Sequence, residues 1–216
     1  MPRDCQTLAG VDEVGRGCLF GPVVAAAVMV SAAGLEALEA AGVRDSKALS
    51  PAQRQRLVPL IQSVAIAWQV GSASVAEIDR MNILQAALLA MKRAVEGLDS
   101  VPDRCWVDGN KTIPQLQIPQ TTLVRGDQRS VAIAAASILA KEWRDQKIIE
   151  LAQHYPGYDL ASNKGYGTAK HRAALKTLGL TPYHRLSFAP CQAIAARTAA
   201  PDPELPLNVP HNPLNQ

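Results

Sequence analysis

Apolar positions cluster in short runs along the chain, and the runs differ in period. Leu8 to Asp12 and Val23 to Val30 are nearly continuous in Val and Ala with no helical phasing, so they predict buried strands, and Gly21-Pro22 supplies a turn between them. Ser50 is a good N-cap and Pro51 suits the first helical position, which predicts a helix over 51–61. Val64 to Val70 predicts a further strand, and Ser74 to Leu98 a largely helical stretch with a break at Asp79 or Asn82. Cys105 to Asp108 predicts a short strand ending at the turn signal Asp108-Gly109-Asn110, and Leu123 to Arg125 another. Ser130 to Gln153 carries the longest helical pattern. Its first half is rich in small residues, which predicts close approach to a sheet, and its second half is amphipathic. Thr168 to Leu178 predicts a short basic helix closed by Gly179. Strands and helices in mixed order predict an α/β fold, a mixed sheet with helices on its faces.

Composition adds bounds. With 216 residues, 48% hydrophobic and 19% charged, the chain can build a substantial core as one domain with additions. The net charge of +3 is unevenly spread: Lys141 to Pro190 holds eight Lys/Arg against four Asp/Glu. That permits a polyanionic partner, although a solvated helix face has the same composition. Cys5, Cys18, Cys105 and Cys191 are scattered without metal-ligand spacing and are expected as free thiols. The N-terminus lacks the apolar core of a signal peptide, and no apolar run is long enough to span a bilayer, so a cytoplasmic protein is expected. Ala199 to Gln216 carries five prolines and reads as a tail.

The chemistry concentrates in acids at strand ends. Asp12, Glu13 and Asp108 lie there, and Asp127 follows a short strand just before the long helix. Buried carboxylates are costly without a cation. Four of them serve either to bind a hard divalent cation or to pair with arginines, and the lack of a His/Cys cluster favours the cation. Neighbouring strand residues face opposite sides, so Asp12 and Glu13 require a strand end or bulge to share a metal, and Gly15 and Gly17 offer the backbone freedom. The two glycines also allow a phosphate backbone to come close, with Arg16 between them to hold it. The acids precede the glycines, and the Gly spacing is one residue too long for a dinucleotide fingerprint. No P-loop pattern occurs, and Arg125-Gly126-Asp127 is a chance tripeptide in a cytoplasmic chain.

Five blocks in fixed order, "GVDEVGRG" (10–17), "DSKALS" (45–50), "VDGN" (107–110), "RGDQRSVAIAAASILAKEWRD" (125–145) and "KGYGTAKHRAAL" (164–175), resemble the ribonuclease HII family and cover the chain to about residue 190. The resemblance implies an RNase H-like fold over 1–190, with a helical substrate-binding part over about 150–190, and a tail over 191–216 that is Pro-rich from 199. It implies cleavage of the RNA strand of RNA–DNA hybrids and incision 5′ of single ribonucleotides in duplex DNA, with Mn²⁺ or Mg²⁺ as cofactor, leaving 3′-hydroxyl and 5′-phosphate ends. Asp12, Glu13, Asp108 and Asp127 would be the catalytic, metal-binding carboxylates, with "RGD" standing where the family usually has "KGD". Gly15, Arg16 and Gly17 would read the 2′-hydroxyl, largely through the main chain. Tyr166 would stack on the deoxyribose after the ribonucleotide. Ser46 and Lys47 would contact phosphates near the cut, while Lys164, Lys170, His171 and Arg172 would form a basic patch for the duplex, His171 as a surface or phosphate-contacting residue. The alternatives are ribonuclease HIII, which acts mainly on longer hybrids and normally carries an extra N-terminal domain, an inactive nucleic-acid-binding scaffold, which should have lost a carboxylate, and a phosphohydrolase for small nucleotides. A monomer is expected. The C-terminal segment lacks the hydrophobic pattern of a sliding-clamp-binding peptide.

Overall fold

The structure, a computed structural model, describes residues 6–198; the Pro-rich segment from 199 lies outside these. Its centre is a five-stranded mixed sheet. Strands β1 (Leu8–Val14), β2 (Val23–Val30) and β3 (Ala67–Ala73) form an antiparallel meander. β4 (Arg104–Asp108) and β5 (Gln120–Leu123) add in parallel on the other side of β1, giving the order β3-β2-β1-β4-β5. All eight residues of β2 are buried, because helices cover both faces. Val23, Ala25, Ala27 and Met29 enter one core, and Val24, Ala26, Val28 and Val30 enter the other, as the alternation of a strand requires.

Eight helices surround the sheet among the described residues: α1 (Ala32–Ala40), α2 (Pro51–Val64), α3 (Val75–Met81), α4 (Ile83–Glu96), α5 (Val131–His154), α6 (Leu160–Asn163), α7 (Ala169–Leu178) and α8 (Ala189–Thr198). Ser50 with Gln53 and Ser74 with Glu77 close capping boxes on α2 and α3. α4 covers the first core and the small-residue half of α5 covers the second. The approach is as close as the Ala-rich sequence predicts. A Cβ on Gly10 of β1 would lie 2.1 Å from the Ala132 carbonyl carbon of α5, and one on Gly71 of β3 would lie 2.3 Å from the Ala90 oxygen of α4. The amphipathic half of α5 continues into a third core, where Ile148 and Leu151 meet Phe20, Tyr158, Leu175 and Cys191. α8 thus packs onto the body beyond residue 190.

Several boundaries differ from the pattern. β1 runs two residues beyond Asp12, and β3 begins at Ala67 rather than Val64, since α2 keeps Val64. β5 ends at Leu123, where the fifth predicted strand begins, and Arg125 turns into the left-handed region (φ 55). The predicted helix break falls at Asn82, which has φ 75 and caps α4 by accepting from the amides of Leu84 and Gln85.

Candidate active site

Pairing between β1 and β4 stops at Val11 opposite Val107. Asp12 and Asp108 are therefore the next residues on neighbouring parallel strands, where the strands part at their carboxyl ends. Crevices of this kind are the usual ligand sites of α/β sheets. Oxygens of Asp12, Glu13 and Asp108 all lie within 4.8 Å of one another. No bulge achieves this: Asp12 pairs with Ala26 and Glu13 with Ala25 in unbroken register. Instead, the Asp12 carboxylate folds back to accept the Glu13 amide at 2.7 Å, and the longer Glu13 side chain reaches round.

The cluster is electrostatically strained. Burial, then the Glu13 charge, hold the Asp12 carboxyl well above the usual carboxylate range, although a hydrogen bond from Ser137 works the other way. Burial also raises Glu13, against the opposing effect of Arg16, whose Nη1 lies 3.1 Å from Glu13 Oε1. Three hard oxygen donors crowded at a buried edge, with one exposed arginine for relief, are the donor set that a divalent cation of the Mg²⁺ or Mn²⁺ type fits. Asp127 stands beside this trio rather than within it. It occupies a 3₁₀ turn (Gly126–Gln128), is buried, and pairs with Lys47 Nζ at 3.4 Å. The Gly126 amide of the same turn donates to Asp108 Oδ1 at 2.6 Å.

Ser46 and Lys47 lie on another 3₁₀ turn (Ser46–Ala48), where the Asp45 carboxylate accepts the Lys47 amide. Ser46 is buried, and its hydroxyl pairs with that of Ser137 at 2.8 Å, so it anchors this turn to α5; of the two, only Lys47, whose side chain is largely exposed beside Asp127, can reach a phosphate. Gly15 has φ 88, and a Cβ there would strike Arg144 Nε at 2.2 Å. Gly17 is different: it is exposed, its φ lies outside the left-handed region, and no atom stands within 4 Å of where a Cβ would go. Nothing in the protein requires glycine at 17, which points to a ligand that approaches the backbone there.

The Gly15–Gly17 loop is zipped to the Tyr166 loop. Cys18 bridges Tyr166, and the Leu19 amide donates to the Gly165 carbonyl at 2.8 Å. Tyr166 is 40% exposed with Lys141 Nζ 5.7 Å from its ring centroid. Lys170 and Arg172 are exposed on α7. Lys164 turns its ammonium back to the Ala161 carbonyl, and its own carbonyl faces inward. His171 is not a surface residue. It is fully buried, with Nδ1 2.9 Å from the Tyr166 carbonyl and Nε2 3.1 Å from Nε2 of His184. The amphipathic phase of α7 turns it inward beside Ala174 and Leu175, so it supports the tyrosine loop from beneath.

The sequence pattern did not single out Ser137, Arg144 or Arg185. Arg144 could have been found, because it shares the buried helical face of Ile148 and Leu151. Ser137 is a lone hydroxyl in an alanine run, and Arg185 has no periodic context.

Comparison with known proteins agrees with this geometry. The ribonuclease HII family model matches residues 9–191. Ribonuclease HII of Acaryochloris marina is 65% identical over 188 residues, spanning 87% of this chain and 95% of that protein. Ribonuclease H2 of Pyrococcus horikoshii superposes with a TM-score of 0.76 at 27% identity, over 88% of this chain and 98% of that one. The enzyme in the PCNA:RNase HII complex of Archaeoglobus fulgidus gives 0.69 at 26% identity, over 84% and 95%. The chain belongs to the ribonuclease HII family, hydrolases of the RNase H type.

Proposed function

We propose that this enzyme hydrolyses the RNA strand of RNA–DNA hybrids and incises duplex DNA on the 5′ side of a single embedded ribonucleotide, leaving a 3′-hydroxyl and a 5′-phosphate. Its role on this reading is removal of ribonucleotides from DNA and of RNA primers. The observation that carries the proposal is the meeting of Asp12, Glu13 and Asp108 at the parting of β1 and β4, with the open backbone of Gly17 close by in sequence.

Asp12, Glu13 and Asp108 would hold Mg²⁺ or Mn²⁺, with Asp127 as the fourth acid, its turn tied to the site by the Gly126 amide on Asp108. When bound, such a cation acidifies a coordinated water and offsets charge on the reacting phosphate. The protein groups do the rest. Arg16 and Lys47 face the phosphates that flank the cut, and Lys170 and Arg172 extend the positive surface along the duplex. The main chain of Gly15–Gly17 meets the 2′-hydroxyl, the group that separates RNA from DNA. Tyr166, half exposed and tied to that loop, stacks on the next sugar and favours deoxyribose there.

No helix among the described residues is long and apolar enough to cross a membrane, and Cys18, Cys105 and Cys191 are free, buried thiols. These features support action in a reducing cytoplasm. The enzyme acts as a monomer on this reading. The test compares a single-ribonucleotide duplex with a continuous hybrid. Tyr166→Ala should lose about tenfold or more on the first and less on the second, as expected for a lost stacking contact. Equal losses on both would remove Tyr166 from junction recognition.

A further inference from the structure

Beneath the Gly15–Gly17 loop lie two fully buried guanidiniums, Arg144 and Arg185. Neither forms an ion pair among the described residues. Both are solvated by peptide carbonyls instead. Arg144 donates to Pro22, Lys164 and Phe20 at 3.1, 2.8 and 3.0 Å. Arg185 donates through Nε to Gly21 and through Nη1 to Arg16, both at 3.0 Å. Its Nη2 is buried with no hydrogen-bond partner. Burial and the neighbouring Arg144 charge depress the Arg185 guanidinium to about 10. A buried, unpaired, incompletely bonded cation is a large cost for a fold to carry. The Phe188 ring, 5.1 Å from Arg185 Cζ, offsets part of that cost, and the position of the guanidinium has a further consequence.

That consequence lies in one peptide group. The carbonyl and N–H of a trans peptide point in opposite directions. Arg185 draws the Arg16 carbonyl inward, and the N–H of the same peptide, that of Gly17, therefore points outward. Gly17 is exposed, and its N–H donates to no main-chain acceptor among the described residues. We propose that Arg185 is a positioning residue for ribonucleotide discrimination: through the Arg16 carbonyl it fixes the Arg16–Gly17 peptide so that the Gly17 N–H is presented to the 2′-oxygen. Gly15 is held from the same side by Arg144, which occupies the space a Cβ would need. The inference rests on the proposed reading of this loop as the 2′-hydroxyl site and adds the residue that orients it.

The test uses the full chain, Mn²⁺, and two duplexes that differ at one nucleotide, a ribonucleotide or its 2′-fluoro-2′-deoxy analogue, whose fluorine is a poor hydrogen-bond acceptor. Arg185→Lys keeps a charge but lacks the planar fork that reaches the two carbonyls from separate nitrogens. Arg185→Met removes the buried charge and its desolvation cost at similar length. Both variants should bind Mn²⁺ as the wild type does, because Asp12, Glu13 and Asp108 are held by β1 and β4. For both, kcat/KM on the ribonucleotide duplex should fall about tenfold or more while the 2′-fluoro rate changes less than about threefold, so that discrimination collapses. A ribonucleotide-to-fluoro ratio within about twofold of wild type in either folded variant overturns the inference. So does failure of both variants to fold, which would make Arg185 a stability residue. Absence of cleavage by the wild type would instead sink the proposed function.

Discussion

The Gly126 amide donates to Asp108 Oδ1 at 2.6 Å. This contact joins the end of β4 to the turn that carries Asp127. It orients one oxygen of Asp108 while the other acids crowd in from β1. The three carboxylates are thus held together by main-chain geometry at an electrostatic cost that a bound cation would relieve.

The first prediction concerns that cost. The folded Asp12 carboxyl titrates well above its unfolded value, so the folded state binds more protons, and the metal-free protein loses stability as pH rises through that range. Mn²⁺ or Mg²⁺ should therefore raise the melting temperature at neutral pH. Asp12→Asn should raise the metal-free melting temperature and blunt the response to metal. A wild-type melt that ignores both cations would contradict the metal assignment.

Two glycines of the first block should respond in opposite ways. Gly10→Ala places a methyl 2.1 Å from the Ala132 carbonyl carbon, where helix and strand main chains cannot yield, and should cost about 3 kcal/mol. Gly17→Ala meets nothing within 4 Å. It should change stability by less than about 0.5 kcal/mol, as an open surface site does. Its cleavage rate should nevertheless fall about tenfold or more, because the methyl occupies the approach to the 2′-oxygen. Urea melts and one cleavage assay separate the two.

Lys47 pairs with Asp127 but keeps most of its side chain in solvent. Such a pair contributes about 0–1 kcal/mol. Lys47→Ala should leave the melt nearly unchanged while raising KM and flattening the salt dependence of cleavage, because a phosphate contact is lost. An unaltered salt dependence would assign Lys47 to Asp127 alone.

His171 and His184 give a pH signature of their own. The Thr181 amide donates to Nδ1 of His184 at 2.9 Å, which leaves its Nε2–H to donate to His171, whose Nδ1–H donates to the Tyr166 carbonyl. The network needs both rings neutral. Burial, then the neighbouring ring, depress His184 to about 4, and burial lowers His171. A folded value below the unfolded one of about 6.5 means that the unfolded chain binds more protons in between. Stability is full above pH 6.5 and is lost as pH falls from about 6.5 towards 4. His184→Asn should flatten that slope; a slope identical to wild type would place the acid sensitivity elsewhere.

Much of this was legible in the chain, and the gaps have physical causes. β2 reads to the residue, because Gly21-Pro22 and Ser31 bound an unbroken apolar run. β1 reads short, because two acids look like a strand end, whereas β1 stays paired with β2 through both of them to Val14. β3 is displaced, because Gly71 and Ser72 resemble a loop, yet Gly71 is where the α4 main chain crosses the sheet. Asp12, Glu13 and Asp108 are visible as acids at strand ends. The support of the site is not. Ser137, Arg144 and Arg185 reach partners 91, 124 and 169 residues away, and beyond the buried helical face that Arg144 shares, no local pattern encodes such contacts.

The central claim is that three carboxylates at the parting of β1 and β4 cleave beside a ribonucleotide. The direct measurement is incubation of a labelled DNA duplex bearing one ribonucleotide with wild-type protein and Asp108→Asn, in Mn²⁺, Mg²⁺ and EDTA. The account predicts one cut on the 5′ side of the ribonucleotide, absent in EDTA and at least about 100-fold slower in Asp108→Asn, the worth of a few kcal/mol of charge stabilisation. Cleavage that survives Asp108→Asn, or duplex binding by the wild type with no cut in either metal, would contradict it.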